Sequence, residues 1–137
     1  MRLVLDTNVL LAAFISRGVC HELVEHCERE RTMVGSEFIL GEIGEKVVSK
    51  FDVPPSKAQE AAALLRSWME LVEPVPLEAP ICRDPDDDWV LATAMAGTCE
   101  CIVTGDKDLL SLGEYRGVRI LAPNTFWNYE ASRRNPP

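Results

Sequence analysis

Two short apolar runs, each followed closely by an aspartate, constrain the fold of this chain more than any other feature. Residues 3–5 come directly before Asp6, and residues 101–103 come shortly before Asp106. Apolar runs without polar alternation are typical of strands that are buried on both faces of a parallel sheet. In open parallel sheets, ligand sites lie at the carboxyl ends of the strands. If these two strands are neighbours, both aspartates face one crevice.

Helix-start signals divide the rest of the chain. Ser36 is a good N-cap for one helix. Ser56 and Gln59 have the spacing of a capping box for the next helix, which is expected to extend to Leu71. Asp84, with a proline directly after it, is typical of a third helix start. Each signal follows a stretch with turn or strand character, so helices and strands are expected to alternate.

This alternation predicts an α/β fold, a three-layer sandwich with a mostly parallel central sheet. Further strands are expected over residues 32–35 and 118–121, and a short edge strand is expected within the proline-rich connection 73–80. A chain of 137 residues without an internal linker fits one compact domain. We therefore expect a single domain over residues 1–132 and a loose tail over residues 133–137.

The charge balance limits how this chain can act on nucleic acids. The formal net charge is −8. Passive nucleic-acid binding depends on Lys and Arg side chains that neutralise phosphates, so that class of function is disfavoured. A chain this acidic can still act on phosphodiesters if bound cations reverse the local field. A nuclease on this sequence is therefore expected to depend on metal.

The N-terminus and the cysteines indicate a cytoplasmic protein. Polar residues interrupt the first apolar run after position 5, unlike a signal peptide, and no stretch approaches the ~18 apolar residues of a membrane helix. The five cysteines are odd in number and form no Cys-x-x-Cys motif, as expected of reduced, buried thiols. A zinc site built from Cys20, His21, His26 and Cys27 matches none of the usual ligand spacings.

An acidic segment, residues 84–88, opens the third of these helices. Acidic residues in a first turn complement the helix dipole, so part of this segment needs no further role. The helical period places Asp88 on the same face as Leu91 and Ala92, which must pack inward. A lone carboxylate at the core edge is costly unless something pairs with it, and a divalent cation would do so. Asp86 lies on another face.

Glu42 is a second carboxylate beside core-facing apolar residues, on the helix that Ser36 is expected to cap. It lies between Ile39 and Ile43, at the margin of the apolar stripe. Several carboxylates in one pocket repel each other and raise one another's pKa values. Mg²⁺ relieves this repulsion because it prefers oxygen ligands, and it assists in-line phosphoryl displacement without a protein nucleophile. The carboxylates therefore favour metal-dependent phosphodiester hydrolysis.

Other catalytic arrangements fit less well. The triplet at residues 6–8 resembles the start of a haloacid-dehalogenase-type phosphatase motif, but that motif requires a second aspartate at the position of Asn8. No Gly-x-x-x-x-Gly-Lys phosphate loop occurs. Both histidines lie in one early helix, which argues against a Ser-His-Asp triad. A non-catalytic module that binds RNA or a protein is the main alternative to a nuclease.

At these residues the sequence resembles a PIN domain, in particular the prokaryotic toxin components of toxin–antitoxin systems. The matching stretches are residues 3–10, Glu42, residues 83–94 and residues 102–110. They occur in the family's order and cover nearly the whole chain, so the ordered set is more specific than any single stretch. The resemblance implies a flavodoxin-like sandwich with endoribonuclease activity that depends on Mg²⁺ or Mn²⁺.

The resemblance also implies a site and a set of partners. By motif match, the catalytic and metal-holding acids are Asp6, Glu42, Asp88 and Asp106. Asn8 and Thr104 are expected to hold these acids and the coordinated waters in place, with Asp108 in support. Asp84 or Asp86 is an alternative ligand to Asp88. The implied partners are an RNA substrate, a small antitoxin like that of virulence-associated protein C, and further copies of the chain in a homodimer or higher oligomer, with no membrane.

Overall fold

The computed structural model describes residues 1–134, in which helices and strands alternate as predicted. The strands are β1 (Arg2–Leu5), β2 (Thr32–Gly35), β3 (Met69–Leu71), β4 (Cys101–Val103), β5 (Glu114–Tyr115) and β6 (Val118–Leu121). The helices are α1 (Thr7–Ile15), α2 (Val19–Glu30), α3 (Glu37–Phe51), α4 (Pro55–Trp68), α5 (Pro85–Ala96), α6 (Lys107–Leu112) and α7 (Pro123–Arg134). None of these helices is long and apolar enough to span a bilayer.

The strands form one sheet in the order β3-β2-β1-β4-β6-β5, and of these strands only β5 runs antiparallel to its neighbour. The predicted mostly parallel α/β sheet is thereby confirmed. β1 and β4 are direct neighbours, with Leu5 opposite Val103. Both strands therefore end at the same edge of the sheet. Asp6 directly follows β1, and Asp106 follows β4 after two residues.

The two central strands are the most deeply buried part of the sheet. Leu3, Val4, Ile102 and Val103 are fully buried. Burial of each such side chain contributes about 1.5–3 kcal/mol to folding. On the sheet, α5 packs against β1, β2 and β4, and α1 packs on α2 and α3. These flanking helices give the carboxyl edge of the sheet a rigid base.

Two predicted helix starts are confirmed in atomic detail. The Ser36 hydroxyl accepts a hydrogen bond from the backbone N–H of Ile39 at 3.4 Å and so caps α3. The Asp84 carboxylate accepts one from the N–H of Asp86 at 2.9 Å, and Pro85 occupies the first turn of α5. Capping satisfies amide hydrogens that have no partner inside the helix, so each cap fixes where its helix begins.

The start of α4 differs from the prediction. The helix begins at Pro55 after Pro54, and no side chain caps it, so the capping box predicted for Ser56 and Gln59 is wrong. Proline lacks an amide hydrogen that would need a partner, and its restricted φ already suits the first turn of a helix. Two successive prolines therefore start α4 without a polar cap.

The end of α4 and the position of the edge strand also differ from the prediction. The helix stops at Trp68, and the next three residues, through Leu71, form β3 beside β2. The connection 73–80, where an edge strand was expected, contains no strand. Pairing with the free edge of β2 supplies hydrogen bonds that these three residues would lack in a frayed last helical turn.

The C-terminal part of the chain contains two elements that the sequence does not signal, the short helix α6 and the two-residue strand β5. The last helix, α7, extends to Arg134. Residues 133 and 134 of the expected loose tail are therefore helical. The remaining residues of that expected tail, 135–137, lie outside the described residues.

Candidate metal centre

A pocket of about 190 Å³ lies where β1 and β4 end. Its walls carry seven carboxylates and one cation, Lys46. The lining residues are Asp6, Thr7, Asn8, Glu42, Lys46, Asp84, Asp86, Asp87, Asp106 and Asp108. The structure thus brings together the predicted Asp6, Glu42 and Asp106 with both less certain aspartates, but Asp88 is absent from this lining. So large an excess of negative charge favours a cation from outside the chain.

Asp6 is the most buried acid of the pocket and is 4% exposed. One carboxylate oxygen accepts a hydrogen bond from the N–H of Thr7 at 2.7 Å. The other accepts from the Thr104 hydroxyl at 2.8 Å and from the Asn8 amide at 3.2 Å. Burial raises the pKa of Asp6, and the contacts with Thr104 and Thr7 only partly offset this increase.

Asn8 and Thr104 tie the ends of β1 and β4 together, beside the acids where the sequence predicts them. The Asn8 carbonyl oxygen accepts from the N–H of Gly105 at 2.8 Å. The Thr104 hydroxyl oxygen accepts from the N–H of Asp106 at 3.0 Å while its hydrogen is donated to Asp6. A Cβ atom at Gly105 would lie only 3.3 Å from the Asn8 oxygen, so this close approach suits glycine.

Asp106 has two roles at the start of α6, as a helix cap and as a member of a carboxylate cluster. One of its oxygens accepts from the N–H of Leu109 at 3.2 Å and caps the helix. Asp106 also forms a cluster with Asp87 and Asp108, in which one carboxylate oxygen of each lies within 4.8 Å of the other two. Asp108 accepts from the guanidinium of Arg83 at 2.7 Å on its outer side. This spacing is close enough for the three carboxylates to contact one cation.

Asp87 is the site residue that the sequence does not single out. One oxygen of its carboxyl group lies within 4.8 Å of a carboxylate oxygen of Asp106. Burial, followed by the negative charge of Asp106, raises the pKa of Asp87 to about 7. A cation bound among these acids would offset the same repulsion that raises the pKa of Asp87.

Asp88, which the sequence places in the site, lies elsewhere, and this placement is a correction. Its two oxygens accept from the backbone N–H groups of Cys82 at 2.8 Å and Ile81 at 3.2 Å. The carboxylate therefore closes the loop that enters α5. The helical period does not fix the direction of Asp88, because residues 90–94 are all buried and α5 has no single apolar face that could determine its rotation.

Asp84 and Asp86 line the pocket at its outer part. Asp84 caps α5, and its charge contributes to the raised pKa of Asp87. The charge of Asp86 contributes in the same way to the pKa of Glu42. Both residues therefore add to the negative field of the pocket, although the three-acid cluster excludes them.

Glu42 approaches the pocket from α3. One of its oxygens accepts from the hydroxyl of the buried Thr7 at 2.8 Å, and the other lies 3.9 Å from the ammonium of Lys46. Burial raises the pKa of Glu42, and the contacts with Thr7 and Lys46 lower it by less. Glu42 and Asp6 are therefore held near each other through Thr7, which lies between them.

The chemistry of the lining selects a class of cation. The pocket offers carboxylate, amide and hydroxyl oxygens, and neither a thiol nor an imidazole belongs to its lining. Hard cations such as Mg²⁺ and Mn²⁺ prefer such oxygens, whereas zinc sites typically use Cys and His. His26, one of the four residues of the alternative zinc site, instead contacts a carboxylate oxygen of Glu130 through Nε2 at 2.8 Å. The residues present thus fit Mg²⁺ or Mn²⁺.

Known proteins share the sequence pattern of this chain. A sequence model of the PIN domain matches residues 2–108. An uncharacterized protein of Methanocaldococcus jannaschii, MJ1680, is 30% identical over 118 residues, which cover 82% of this chain and 75% of that protein. The PIN-domain match spans β1 through the start of α6 and therefore contains every residue that lines the acidic pocket.

Two solved structures share the fold. VapBC2 from Rickettsia felis, bound to a DNA fragment from its promoter, matches with a TM-score of 0.63 at 16% identity, over 89% of this chain and 98% of the matched chain. VapBC-1 from nontypeable Haemophilus influenzae matches with a TM-score of 0.63 at 16% identity, over 90% and 99%. At this identity the likeness shows the fold alone, over nearly the full length of both chains.

Proposed function

This chain belongs to the PIN-domain family, and we propose that it is an endoribonuclease that hydrolyses RNA phosphodiester bonds with Mg²⁺ or Mn²⁺. The observation that carries the proposal is the cluster of Asp87, Asp106 and Asp108, in which one carboxylate oxygen of each lies within 4.8 Å of the other two. Acids this close repel one another, so the cluster favours a proton or a cation among them. Asp6 and Glu42 line the same pocket, so a cation offsets more of the repulsion than a single proton does.

We assign the metal to the cluster of Asp87, Asp106 and Asp108, with Asp6 and Glu42 lining the same pocket. Asp87 takes the place that the sequence assigns to Asp88. A divalent ion in such a site lowers the pKa of a coordinated water and stabilises negative charge on the reacting phosphate. No Ser, Cys or His side chain belongs to the pocket lining, and the Thr7 hydroxyl donates to Glu42, so water is the nucleophile in this proposal.

The remaining polar residues position the acids. Thr104 and Asn8 donate hydrogen bonds to one oxygen of Asp6, which orients that carboxylate and stabilises its ionised form. Thr7 does the same for Glu42. Lys46 is the cation that lines the pocket, and it reduces the repulsion that an incoming RNA phosphate meets there.

We further propose an antitoxin partner and self-association, with action on RNA in the cytoplasm. Both matched structures are complexes of the VapBC type, which supports a partner of that kind. An apolar groove of about 250 Å³ lies between α1, α2 and α4, with the exposed Phe14 and Leu64 on its walls. Apolar grooves between helices can receive the apolar face of a partner helix, and we assign the groove to the antitoxin.

The proposed activity is tested with a fluorescent single-stranded RNA and titrations of Mg²⁺ and Mn²⁺ into the wild type, Asp87→Asn and Asp88→Asn. Loss of a residue that only supports a metal site typically costs 10–100-fold, so loss of a direct ligand is expected to lower cleavage by about 100-fold or more. Asp87→Asn should also lose metal binding, measured calorimetrically. Asp88→Asn should keep metal binding, because its carboxylate contacts only the loop before α5.

The opposite outcome would favour the alternative, a non-catalytic module on a PIN fold that binds RNA or a protein. In that case the wild type would leave RNA intact with either ion. Its affinity for RNA or a partner protein would also be the same with and without metal, and the same in Asp87→Asn.

A further inference from the structure

A second depression, of about 280 Å³, adjoins the acidic pocket and shares Asp108 with it. Its lining residues are Ile81, Cys82, Arg83, Asp108, Ser111 and Leu112. Cys82 donates its N–H to Asp88 at 2.8 Å, and Asp88 directly follows Asp87 of the acidic pocket, so the two spaces lie close together. A molecule bound at the acids can therefore extend into this depression.

Two exposed aliphatic side chains form the apolar part of this depression. Ile81 is 42% exposed and belongs to the loop before α5, whereas Leu112 is 37% exposed and is the last residue of α6. Apolar side chains that line a concave, polar-rimmed surface are typical of ligand sites. Purely solvated surface would not require them at this position.

The elements that carry the two apolar residues are held in place by hydrogen bonds to Asp88 and Asp106. Asp88 accepts hydrogen bonds from the N–H groups of both Ile81 and Cys82, which holds the loop before α5 in place. Asp106 caps α6, the helix that ends at Leu112. The six residues of α6 are about 9 Å long, so Leu112 lies at the far end of the helix that Asp106 caps.

The polar groups of the depression suit a nucleotide. Arg83 lies on its border, and the guanidinium donates to Asp108 at 2.7 Å while the side chain is 86% exposed. Arginine both contacts phosphates and stacks on flat rings. The Ser111 hydroxyl donates to the carbonyl of Lys107 at 2.8 Å, so its oxygen is left as an acceptor for a base edge.

We propose that this depression is a nucleobase subsite, in which Ile81 and Leu112 hold the base of a nucleotide adjacent to the cleaved phosphate and Arg83 contacts the next phosphate. The proposal rests on the ribonuclease function proposed above. Proteins commonly recognise single-stranded RNA by holding unstacked bases against side chains, and flipped bases are also held between apolar residues. The subsite would give the enzyme a preference for the base beside the scissile bond.

The experiment compares cleavage of an RNA decamer with cleavage of two derivatives that lack the base on either side of the cleaved bond. In the wild type, one abasic derivative should raise KM by about tenfold, which corresponds to about 1.4 kcal/mol of lost contact between the base and the two aliphatic side chains. In Ile81→Ala/Leu112→Ala, KM for intact RNA should rise and the abasic-to-intact ratio should approach one. The value of kcat and Mn²⁺ binding should change little, since neither residue lines the acidic pocket.

A matched control is the double variant Ile15→Ala/Leu71→Ala. Ile15 is 56% exposed at the end of α1 and Leu71 is 38% exposed in β3, and neither lines the depression. This variant should keep the tenfold ratio. A retained ratio in Ile81→Ala/Leu112→Ala, or an absence of any abasic effect in the wild type, would overturn the subsite while the nuclease stands.

Two further outcomes separate the subsite from other interpretations. If the wild type cleaves no RNA with either ion, both the proposed function and the subsite are overturned together. If Ile81→Ala/Leu112→Ala changes a dimer to a monomer in light scattering and leaves the abasic ratio unchanged, the surface is an interface between copies of the chain. Weaker discrimination with an unchanged oligomeric state supports the subsite.

Discussion

Two clusters of buried charge, in different parts of the molecule, treat their carboxylates in opposite ways. Between α2 and α7, Glu130 is 3% exposed and contacts His26 Nε2 and Arg31 Nε, each at 2.8 Å. In the acidic pocket, Asp6 is 4% exposed and contacts only neutral donors, and the negatively charged Asp106 lies near it. Burial alone would raise the pKa of both acids.

The groups around each carboxylate decide the direction in which its pKa is shifted. For Glu130, burial raises the pKa, but the contact and charge of His26, followed by those of Arg31, outweigh it and leave the pKa below its usual value. For Asp6, burial dominates and the pKa is raised. A buried acid whose partners lie within the chain stabilises the fold, whereas a buried acid that lacks charged partners favours binding a cation from outside.

The largest expected effect is on the stability of the protein and comes from the cluster around Glu130. Removal of one partner from a buried ion pair leaves the other charges uncompensated, so Glu130→Ala should lower the free energy of unfolding by about 3 kcal/mol. Urea unfolding measures this change. Glu28→Ala, on the exposed side of α2, is the control and should change stability little. Equal unfolding midpoints for both variants would remove the contrast between the clusters.

The second expected effect comes from the acidic pocket and requires metal. A ligand that binds only the folded state at about 100 times its Kd adds roughly 2.7 kcal/mol to the free energy of unfolding. Mn²⁺ should therefore stabilise the wild type, and it should stabilise Glu130→Ala by the same increment. Asp87→Asn should lose most of the increment in the same urea titrations. A full increment in Asp87→Asn would place the cation elsewhere.

The smallest expected effect is a difference in the sign of the pH dependence. Asp87 has a folded-state pKa of about 7, above its unfolded value, so its favourable contribution is present at low pH and is lost as the pH rises through 7. Glu130 has a lowered pKa, so its contribution is present above its unfolded pKa and is lost as the pH falls through the folded value.

In EDTA, the thermal midpoint of the wild type should therefore fall as the pH rises from about 5 to 8. In Asp87→Asn the fall should be smaller, because the titrating carboxyl group is gone, and saturating Mn²⁺ should also reduce it. Differential scanning calorimetry at fixed ionic strength measures these slopes. A midpoint that rises over this range in EDTA would contradict the assignment of the pocket as an uncompensated cluster.

The sheet and several helix starts are predictable from the sequence because their signals are local. Residues 3–5 and 101–103 are apolar without interruption, and Ser36 and Asp84 act as N-caps. The strand β3 is not predictable in this way, because its three residues follow α4 directly and become a strand through pairing with β2. Long-range pairing of this kind leaves no local pattern.

The choice among neighbouring aspartates depends on the rotation of α5, which local periodicity does not determine. That rotation follows from the packing of α5 against three strands, and it turns Asp87 toward Asp106 and Asp88 toward the loop before α5. The sequence thus predicts that an acid of the segment 84–88 enters the pocket. It does not predict which acid, because helical residues one position apart differ by about 100° in direction.

The helix caps have a consequence for descendants of this chain that lose nuclease activity. Asp6, Asp84 and Asp106 each cap the helix that follows them, so selection for stability would retain these three acids after the chemistry is gone. The carboxyl groups of Asp87 and Glu42 cap no helix, and in the metal-free protein they carry raised pKa values. In a silenced relative these two positions are expected to drift first, which makes them the better markers of an active lineage.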